Sequence, residues 1–303
     1  MKRFAIIGAA GFVAERHIRA IKETGNEVVA AMDPFDVMGR MDSYFPEAEY
    51  FQSESELIAF LHESGKLGKP VDFISICSPN HLHFQHIKLA LENHCNVICE
   101  KPLVIDTEHL DRIAKLESET GCSVNTVLQL RYHPVIVKLR EELGLNTQKY
   151  HEVDLRYITT RGRWYMKSWK GDIQKSGGIA TNIGIHLFDL LIWLFGDIVK
   201  NEVLVLTPIN ARGTLFLKKA KVNWFLSIDT KDLPEEIIRM GKRTFRSINI
   251  DKSELEFSEG FTKLHTETYR QILAGNGFGV EDARESIEVT EQIRKTEKTE
   301  LKL

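Results

Sequence analysis

The chain has 303 residues, 43% of them hydrophobic and 27% charged, which is typical of a globular protein with one large domain or two. A net charge of -3 gives no general attraction to nucleic acid or to an anionic membrane surface. We expect no membrane span, because no apolar run approaches the roughly 20 residues that cross a bilayer. The four cysteines lack metal-finger spacing, so we expect reduced thiols, a cytoplasmic protein and no metal site.

An apolar strand is predicted at residues 4–7, followed by a glycine-containing turn and a helix that begins at about Gly11. Glycines at such a turn let the backbone approach a pyrophosphate, and the helix N-terminus supplies N–H groups. The spacing G-x-x-G-x-x-A departs from the commoner G-x-G-x-x-G, but the strand before it and the helix after it favour a dinucleotide site. The turn residues assigned to the cofactor are Gly8, Ala9, Ala10, Gly11, Phe12 and Val13.

The second predicted strand, residues 27–32, ends at Asp33. A carboxylate there can accept hydrogen bonds from both adenosine ribose hydroxyls, and it would repel a 2′-phosphate. The sequence therefore predicts NAD as the cofactor, not NADP. The alternative is that Asp33 only caps a helix or a turn.

Strands predicted at 50–51, 71–77, 97–99 and 123–129 alternate with helices at 54–62, 84–93 and 108–120, which indicates a doubly wound sheet. The strand 71–77 leads into a turn in which Asn80 and His83 could reach the nicotinamide ribose. Asn80 could instead, or in addition, cap the helix that follows. Further cofactor-binding candidates at these strand ends are Cys77, Ser78, Pro79, Glu100, Lys101 and Gln129.

The strand 97–99 stops abruptly at Glu100-Lys101-Pro102. Ligands of open α/β sheets bind beyond the carboxyl ends of the strands, so charges at this point suggest a site. Pro102 favours an extended conformation at Lys101, which limits where the ammonium group can point. Lys101 is thus a candidate general base, and the alternative is an ordinary surface pair of Lys and Glu.

From residue 131 the pattern changes. A helix is predicted at 134–143, and strands are predicted at 151–158, 202–206, 213–218, 221–228, 244–250 and 254–257. We infer that residues 1–130 form a Rossmann domain for NAD. Residues 131–303 form an α+β domain with an open, mostly antiparallel sheet, whose exposed face is expected to make a homodimer or homotetramer interface.

Residues 161–170, which we call the basic loop, contain two arginines, two lysines, two tryptophans and a tyrosine. Such side chains bind phosphates, carboxylates and sugar faces. These side chains could also bind single-stranded nucleic acid, but the negative net charge of the chain argues against this interpretation. Candidates for substrate binding are Lys101, Arg131 just before the second domain's first helix, and Arg163 and Tyr165 in the loop.

A turn with Gly177 and Gly178 leads into a very apolar helix that carries Asn182 and His186 four residues apart. At this spacing both polar groups would share one face of a buried helix and would need partners. They are candidate catalytic and substrate-binding residues, with His186 able to take a hydroxyl proton. The alternative for His186 is a hydrogen-bonded core histidine.

Asp33, the Glu100-Lys101-Pro102 run and the Gly-Gly…Asn…His segment, in this order, resemble the glucose–fructose oxidoreductase/inositol dehydrogenase (Gfo/Idh/MocA) family. The runs Gly-Ala-Ala-Gly-Phe-Val-Ala-Glu-Arg-His, Arg-Gly-Arg-Trp-Tyr and Ser-Gly-Gly-Ile-Ala-Thr-Asn-Ile-Gly-Ile-His resemble its WlbA/WbpB subfamily. The family at large usually has Asp where this chain has Asn182, whereas the subfamily has Asn.

The resemblance implies NAD-dependent oxidation of C3 of UDP-N-acetylglucosaminuronate (UDP-GlcNAcA), on the way to diacetamido-uronic acids of surface polysaccharide such as O-antigen. It implies that Lys101 and His186 flank the 3-hydroxyl, that one of them removes its proton, and that Asn182 holds the hydroxyl or the lysine. In some members 2-oxoglutarate regenerates NAD. The alternatives are a dehydrogenase of another sugar or cyclitol, and a non-catalytic NAD-binding sensor.

Overall fold

The computed structural model describes residues 1–35, 39–145, 148–255 and 263–296. The chain forms two compact units, each described by itself: residues 1–132 with 262–283 make the first unit, and residues 133–261 with 284–303 make the second. The predicted domain boundary after residue 130 lies two residues from the first division. Residues 262–283 also belong to the first unit, so a boundary at a single position does not describe the division.

Strands and helices alternate through the first 132 residues. The strands are β1 (Arg3–Ile7), β2 (Glu27–Met32), β3 (Glu49–Phe51), β4 (Phe73–Ile76), β5 (Asn96–Cys99) and β6 (Val124–Thr126). The helices are α1 (Ala14–Glu23), α2 (Gly39–Tyr44), α3 (Glu54–Lys66), α4 (His83–Glu92) and α5 (Glu108–Thr120). The strands pair in parallel in the order β3-β2-β1-β4-β5-β6, so the predicted doubly wound Rossmann sheet is confirmed.

The remaining elements begin with a helix at Pro134. The helices are α6 (Pro134–Leu145), α7 (Trp164–Lys167), α8 (Ile173–Ser176), α9 (Ile185–Phe195), α10 (Glu235–Arg239), α11 (Leu264–Leu273) and α12 (Val280–Lys295). The strands are β7 (His151–Thr159), β8 (Ile198–Leu206), β9 (Asn210–Leu217), β10 (Ala220–Ser227), β11 (Thr244–Ile250) and β12 (Ser253–Glu254). Part of the predicted strand 254–257 lies outside the described residues.

The second unit contains a six-stranded sheet in the order β12-β11-β7-β10-β9-β8. Its neighbours pair antiparallel except for β7 and β10, which are parallel. The predicted mostly antiparallel sheet is therefore confirmed. The parallel pair was not predicted; it arises because the chain crosses over through α7, α8, α9, β8 and β9 before it returns beside β7.

Helix α11 returns to the first unit and completes its core. The ring of Tyr269 on α11 lies 5.9 Å from that of Phe4, which stacks on Phe73 at 5.1 Å. Phe4 and Tyr269 are fully buried. Burying an aromatic side chain of this size stabilises a fold by about 1.5–3 kcal/mol, so α11 is an integral part of the cofactor unit.

Several predicted boundaries differ from the structure, and two of them concern site residues. The helix expected from Gly11 begins at Ala14, because the preceding residues still belong to the turn, where the Ala14 N–H donates to the Gly11 carbonyl. The strand expected over 123–129 ends at Thr126, after which the chain tightens into a 3₁₀ turn, Gln129–Tyr132. Gln129 therefore lies in a turn beyond the strand and not at its end.

The stretch Ile173–Phe195 is long and apolar enough to cross a membrane by length and composition, and its most apolar 18-residue window has a mean hydropathy of 1.6. The expectation that no apolar run approaches this length was therefore wrong. In the described structure this stretch comprises α8, a π-helical segment and α9, and 72% of its most apolar window is buried inside the protein. Such burial is typical of a core helix.

Candidate active site

The turn after β1 lies against the end of β4. Gly8 has a φ of +84°, which glycine adopts without strain. A Cβ on Gly8 would lie 2.6 Å from the backbone nitrogen of Ser78 and 2.7 Å from the carbonyl carbon of Cys77. Both the backbone conformation and the close approach of the two strand ends therefore require glycine at this position.

The turn opens onto the N-terminus of α1. Val13 precedes the helix, and no side-chain hydrogen bond caps it. The backbone N–H groups and the dipole of a helix start favour an anion. Phe12 is 80% exposed, so the tip of the turn is open to a ligand. The predicted stretch Gly8–Val13 thus has the geometry of a pyrophosphate-binding turn.

Asp33 lies at the end of β2 and is buried beside this turn. One carboxylate oxygen accepts a hydrogen bond from the N–H of Ala10 at 2.9 Å, and the other accepts one from the N–H of Phe35 at 3.0 Å. Asp33 therefore does cap a local turn, as the alternative interpretation held. A carboxylate has about four acceptor positions, so these two bonds leave capacity for ribose hydroxyls.

The residues after β4 hold each other in place. The hydroxyl of Ser78 lies 2.8 Å from Nδ1 of His86. Asn80 begins a 3₁₀ turn, Asn80–Leu82, and no side-chain hydrogen bond caps α4, so the capping role suggested for Asn80 is not found. Pro79 precedes this turn in an extended conformation.

His83 has a different role from the predicted contact with the cofactor ribose. Its side chain is 1% exposed. Its Nδ1 lies 2.7 Å from the carbonyl oxygen of Pro102, and its Nε2 lies 2.9 Å from that of Ser78. Each ring nitrogen thus faces a carbonyl oxygen, and the neutral ring, which carries one N–H, donates to one of the two at a time. His83 connects the turn after β4 to the turn after β5.

The turn after β5 presents Lys101. The Lys101–Pro102 peptide bond is cis, and the Lys101 side chain is half-buried. Within the described part of the chain, its ammonium group makes no hydrogen bond or ion pair. The alternative of a Lys101–Glu100 surface pair does not hold, because Glu100 is buried and bonded elsewhere.

Glu100 is the centre of a buried cluster that the sequence did not predict. One of its oxygens accepts hydrogen bonds from Nε2 of His17 and Nε2 of His265, both at 3.0 Å. Burial alone would raise the pKa of Glu100, but the two histidine hydrogen bonds outweigh burial, and the pKa lies well below 4.5. The three side chains have the spacing of a metal site, yet their mutual hydrogen bonds already satisfy the carboxylate.

Gln129, in the turn beyond β6, carries an unsatisfied acceptor. Its side-chain oxygen is buried and has no hydrogen-bond partner among the described residues. Buried polar atoms normally have partners, so an orphaned acceptor here suits a ligand that carries a donor. Together with the glycine turn and Asp33, it shows that the residues of the first unit fit a dinucleotide.

Arg131 does not present its charge as a free substrate ligand. It is buried, and it donates to the carbonyl oxygen of Asp282 at 2.8 Å and to the Asp282 carboxylate at 3.3 Å. Its guanidinium also lies 4.6 Å from the centre of the Phe278 ring. These contacts give Arg131 a structural role in the first unit, in place of the predicted role in substrate binding.

The basic loop of the second unit folds into short helical turns. Tyr165 is buried, and its hydroxyl accepts a 2.6 Å hydrogen bond from the amide of Asn182. Arg163 is exposed, whereas the ammonium of Lys170 lies 5.2 Å from the centre of the Trp164 ring. The loop therefore joins the predicted residues Tyr165 and Asn182, and Arg163 keeps its charge at the surface.

Asn182 and His186 do not lie on one regular helix. Asn182 lies in the π-helical segment Ala180–Gly184, and His186 lies in the first turn of α9. The wider π turn changes the rotation per residue, so α-helical i,i+4 spacing does not apply to this pair. The half-buried His186 ring meets the Tyr157 ring edge-on at 5.6 Å.

A glycine turn at the carboxyl edge of a parallel sheet, an acid at the end of β2, and a lysine beyond β5 without a partner among the described residues are features of a dinucleotide-dependent oxidoreductase. Residues 2–127 match the oxidoreductase family with an NAD-binding Rossmann fold, and residues 147–225 match its C-terminal alpha/beta domain. The chain belongs to this family, Gfo/Idh/MocA, which confirms the predicted family and its NAD cofactor.

Among solved structures the chain is similar to the WlbA (WbpB) dehydrogenase from Thermus thermophilus. Its complex with NAD and alpha-ketoglutarate is 51% identical with a TM-score of 0.95, and the match covers 99% of this chain and 96% of that chain. Its complex with NAD and UDP-GlcNAcA matches at 50% identity and a TM-score of 0.94, with the same coverage. The WlbA dehydrogenase from Bordetella pertussis, 19% identical over 96% of this chain and 94% of its own with a TM-score of 0.80, shares the fold.

Curated relatives match over shorter regions. The D-glucoside 3-dehydrogenase of Escherichia coli is 29% identical over 210 residues, which are 64% of this chain and 54% of that protein. The aligned regions of this and similar curated relatives span between 36% and 66% of their lengths.

Proposed function

We propose that the protein oxidises the C3 hydroxyl of UDP-GlcNAcA to the 3-keto sugar with NAD. The observation that carries the proposal is the sequence identity of 50%, over 99% of this chain, to a dehydrogenase whose complex holds NAD and UDP-GlcNAcA. Lys101 lies just beyond β5 and its side-chain nitrogen has no partner among the described residues, so as a neutral amine it can accept the proton of the 3-hydroxyl.

The first unit supplies the cofactor residues. Residues Gly8 to Val13 bind the pyrophosphate through backbone N–H groups, and Asp33 accepts hydrogen bonds from the ribose hydroxyls. The buried oxygen of Gln129 accepts a donor of the bound cofactor. NAD, when bound, accepts the hydride from the sugar; the protein supplies orientation and the proton acceptor.

Lys101 removes the proton of the 3-hydroxyl. We favour Lys101 over His186 because its ammonium has no partner within the described residues, whereas the His186 ring packs on Tyr157. In the second unit Asn182, held by Tyr165, and His186 bind hydroxyls of the sugar. The exposed Arg163 binds a negative charge of the substrate, the uronate or the diphosphate.

We further propose that 2-oxoglutarate is the final hydride acceptor and leaves as 2-hydroxyglutarate. The similarity to a structure that contains NAD and alpha-ketoglutarate supports this step. From the subfamily resemblance we also propose that the protein is a cytoplasmic homodimer or homotetramer. On the same basis we propose that it acts in the synthesis of lipopolysaccharide or another surface polysaccharide. A solution mass near that of one 34.7 kDa chain would exclude the proposed assembly.

The test compares UDP-GlcNAcA with UDP-N-acetylglucosamine, which lacks the carboxylate, in the presence of 2-oxoglutarate. Mass spectrometry should find a product two hydrogens lighter from UDP-GlcNAcA. Lys101→Met should abolish this product, whereas Lys115→Met should not, since Lys115 is exposed on α5. If only the neutral sugar is oxidised, the protein is a dehydrogenase of another sugar; if neither is oxidised, the substrate assignment is wrong.

A further inference from the structure

The peptide that carries Lys101 is anchored on both sides by buried groups. On the N-terminal side, the carboxylate of Glu100 accepts a hydrogen bond from the backbone N–H of Lys101 at 3.2 Å. On the C-terminal side, the carbonyl of Pro102 lies 2.7 Å from Nδ1 of His83. The Lys101 ammonium itself has no partner in the described part of the chain, so its position depends on these backbone contacts.

The N-terminal anchor extends into two helices. Glu100 receives hydrogen bonds from His17 on α1 and from His265 on α11. Both histidines are buried, at 0% and 5% exposed. Helix α1 follows the glycine turn, so the cluster connects the cofactor turn, α11 and the peptide of Lys101 within one unit.

The hydrogen bonds of this cluster run in one direction. Because Nε2 of His17 donates to Glu100, its neutral ring leaves Nδ1 as an acceptor, which takes the hydroxyl hydrogen of Tyr269 at 2.7 Å. The Tyr269 oxygen in turn lies 2.6 Å from the hydroxyl of Ser75 on β4. Every donor has one acceptor, so the cluster fixes the side chain of Glu100 in a single orientation.

The C-terminal anchor is independent of the first. His83 lies at the start of α4 and contacts the carbonyl oxygens of Pro102 and Ser78. Its ring joins the turns that follow β4 and β5. Removing the His83 ring would remove the contact between α4 and the Pro102 carbonyl, so the turn of Lys101 would lose its second fixed point.

We infer that His17, His83 and His265, which we call the histidine frame, are positioning residues for Lys101. His17 and His265 act through the carboxylate of Glu100, and His83 acts through the carbonyl of Pro102. The inference rests on the proposed function in one respect, the role of Lys101 as base. The frame sets where the ammonium lies relative to the bound cofactor, and it does not touch the reacting atoms.

The kinetic test uses two substitutions at one position. His265→Gln keeps an N–H donor at the place of Nε2, whereas His265→Met has similar bulk and no donor. A misplacement of about 1 Å can cost about 100-fold in rate, so we expect His265→Met to lower kcat by about 10- to 100-fold. His265→Gln should stay within about threefold of the wild type on the same scale. The dissociation constant of NAD, measured by calorimetry, should be unchanged in both.

A second measurement does not depend on turnover. Competitive acetylation, followed by peptide mass spectrometry, gives the reactivity of Lys101 relative to the exposed Lys115 of the same chain. The ratio should change in His265→Met and match the wild type in His265→Gln. If the wild type does not oxidise UDP-GlcNAcA, the proposed function fails while this ratio still tests the frame.

The variants His83→Asn and His83→Val test the C-terminal anchor by the same comparison of kcat and labelling ratio. They replace the first pair if His265→Met does not fold. Asparagine can place its amide near the position of Nδ1 and keep the bond to Pro102, whereas valine cannot. Equal kcat values per NAD-binding site and equal labelling ratios within each pair would overturn the inference. They would show that the frame only stabilises the fold.

Discussion

Gly8 and Gly25 make a matched pair for testing how the cofactor turn is built. Both have a positive φ, +84° and +75° respectively. A Cβ at Gly25 would meet nothing within 4 Å, whereas a Cβ at Gly8 would lie 2.6 Å from the backbone nitrogen of Ser78. Alanine at either position therefore strains the backbone, but only at Gly8 does it also push two strand ends apart.

The expected magnitudes follow from these contacts. The positive φ alone should lower the free energy of unfolding of Gly25→Ala by about 1–2 kcal/mol. At Gly8 overpacking adds about 1–3 kcal/mol, because the atoms in contact are backbone atoms that cannot rotate away. Gly8→Ala should therefore lose about 2–5 kcal/mol in total.

Urea unfolding measures the free energies, and calorimetry measures NAD binding. Gly25→Ala should keep the dissociation constant of the wild type. Gly8→Ala should raise it by about tenfold or more, which is about 1.4 kcal/mol, because the turn must move to admit the methyl group. Equal losses of stability and unchanged NAD binding in both variants would show that the close approach of Gly8 to Ser78 does not shape the cofactor turn.

Three further predictions concern Asp33, Arg131 and His83. Asp33→Asn should weaken the preference for NAD over NADP by about tenfold, because the charge that repels a 2′-phosphate is lost; an unchanged ratio of dissociation constants would contradict this role. Arg131→Gln should lower the free energy of unfolding by about 2 kcal/mol through the loss of its bonds to Asp282. It should leave the KM of the sugar unchanged, and a raised KM would return Arg131 to the substrate site. Burial lowers the pKa of His83 below 6.5, so the unfolded chain binds more protons as the pH falls through that value, and stability falls by up to about 1.4 kcal/mol per pH unit. Thermal unfolding between about pH 7.5 and about pH 5.5 should shift less in His83→Gln than in the wild type, and identical shifts would exclude this contribution.

The sequence predicted the first unit well because its signals are local. Continuous apolar strands, the glycine turn and charges at strand ends each lie within a few consecutive residues, and together they place Gly8, Asp33 and Lys101 at one edge of a sheet. The parallel pairing of β7 with β10 depended on where a distant strand returned, and no local pattern records that.

The contacts that hold the site together were not predictable in the same way. Glu100 is 83 residues from His17 and 165 residues from His265 in the chain, so their hydrogen bonds appear only in the folded structure. Arg131 has the same charge whether it binds a substrate or Asp282. The position of His83 after β4 suggested a contact with the cofactor. Its actual neighbours, the carbonyl oxygens of Ser78 and Pro102, become visible only in the folded structure.

The most direct test of the central claim follows one hydrogen atom. UDP-GlcNAcA carrying deuterium at C3 is incubated with the NAD-loaded protein and unlabelled 2-oxoglutarate, and both products are analysed by mass spectrometry. We expect a 3-keto sugar without deuterium and 2-hydroxyglutarate with one deuterium, and neither product with Lys101→Met. Deuterium retained in the sugar, with no 2-hydroxyglutarate formed, would contradict the proposed reaction.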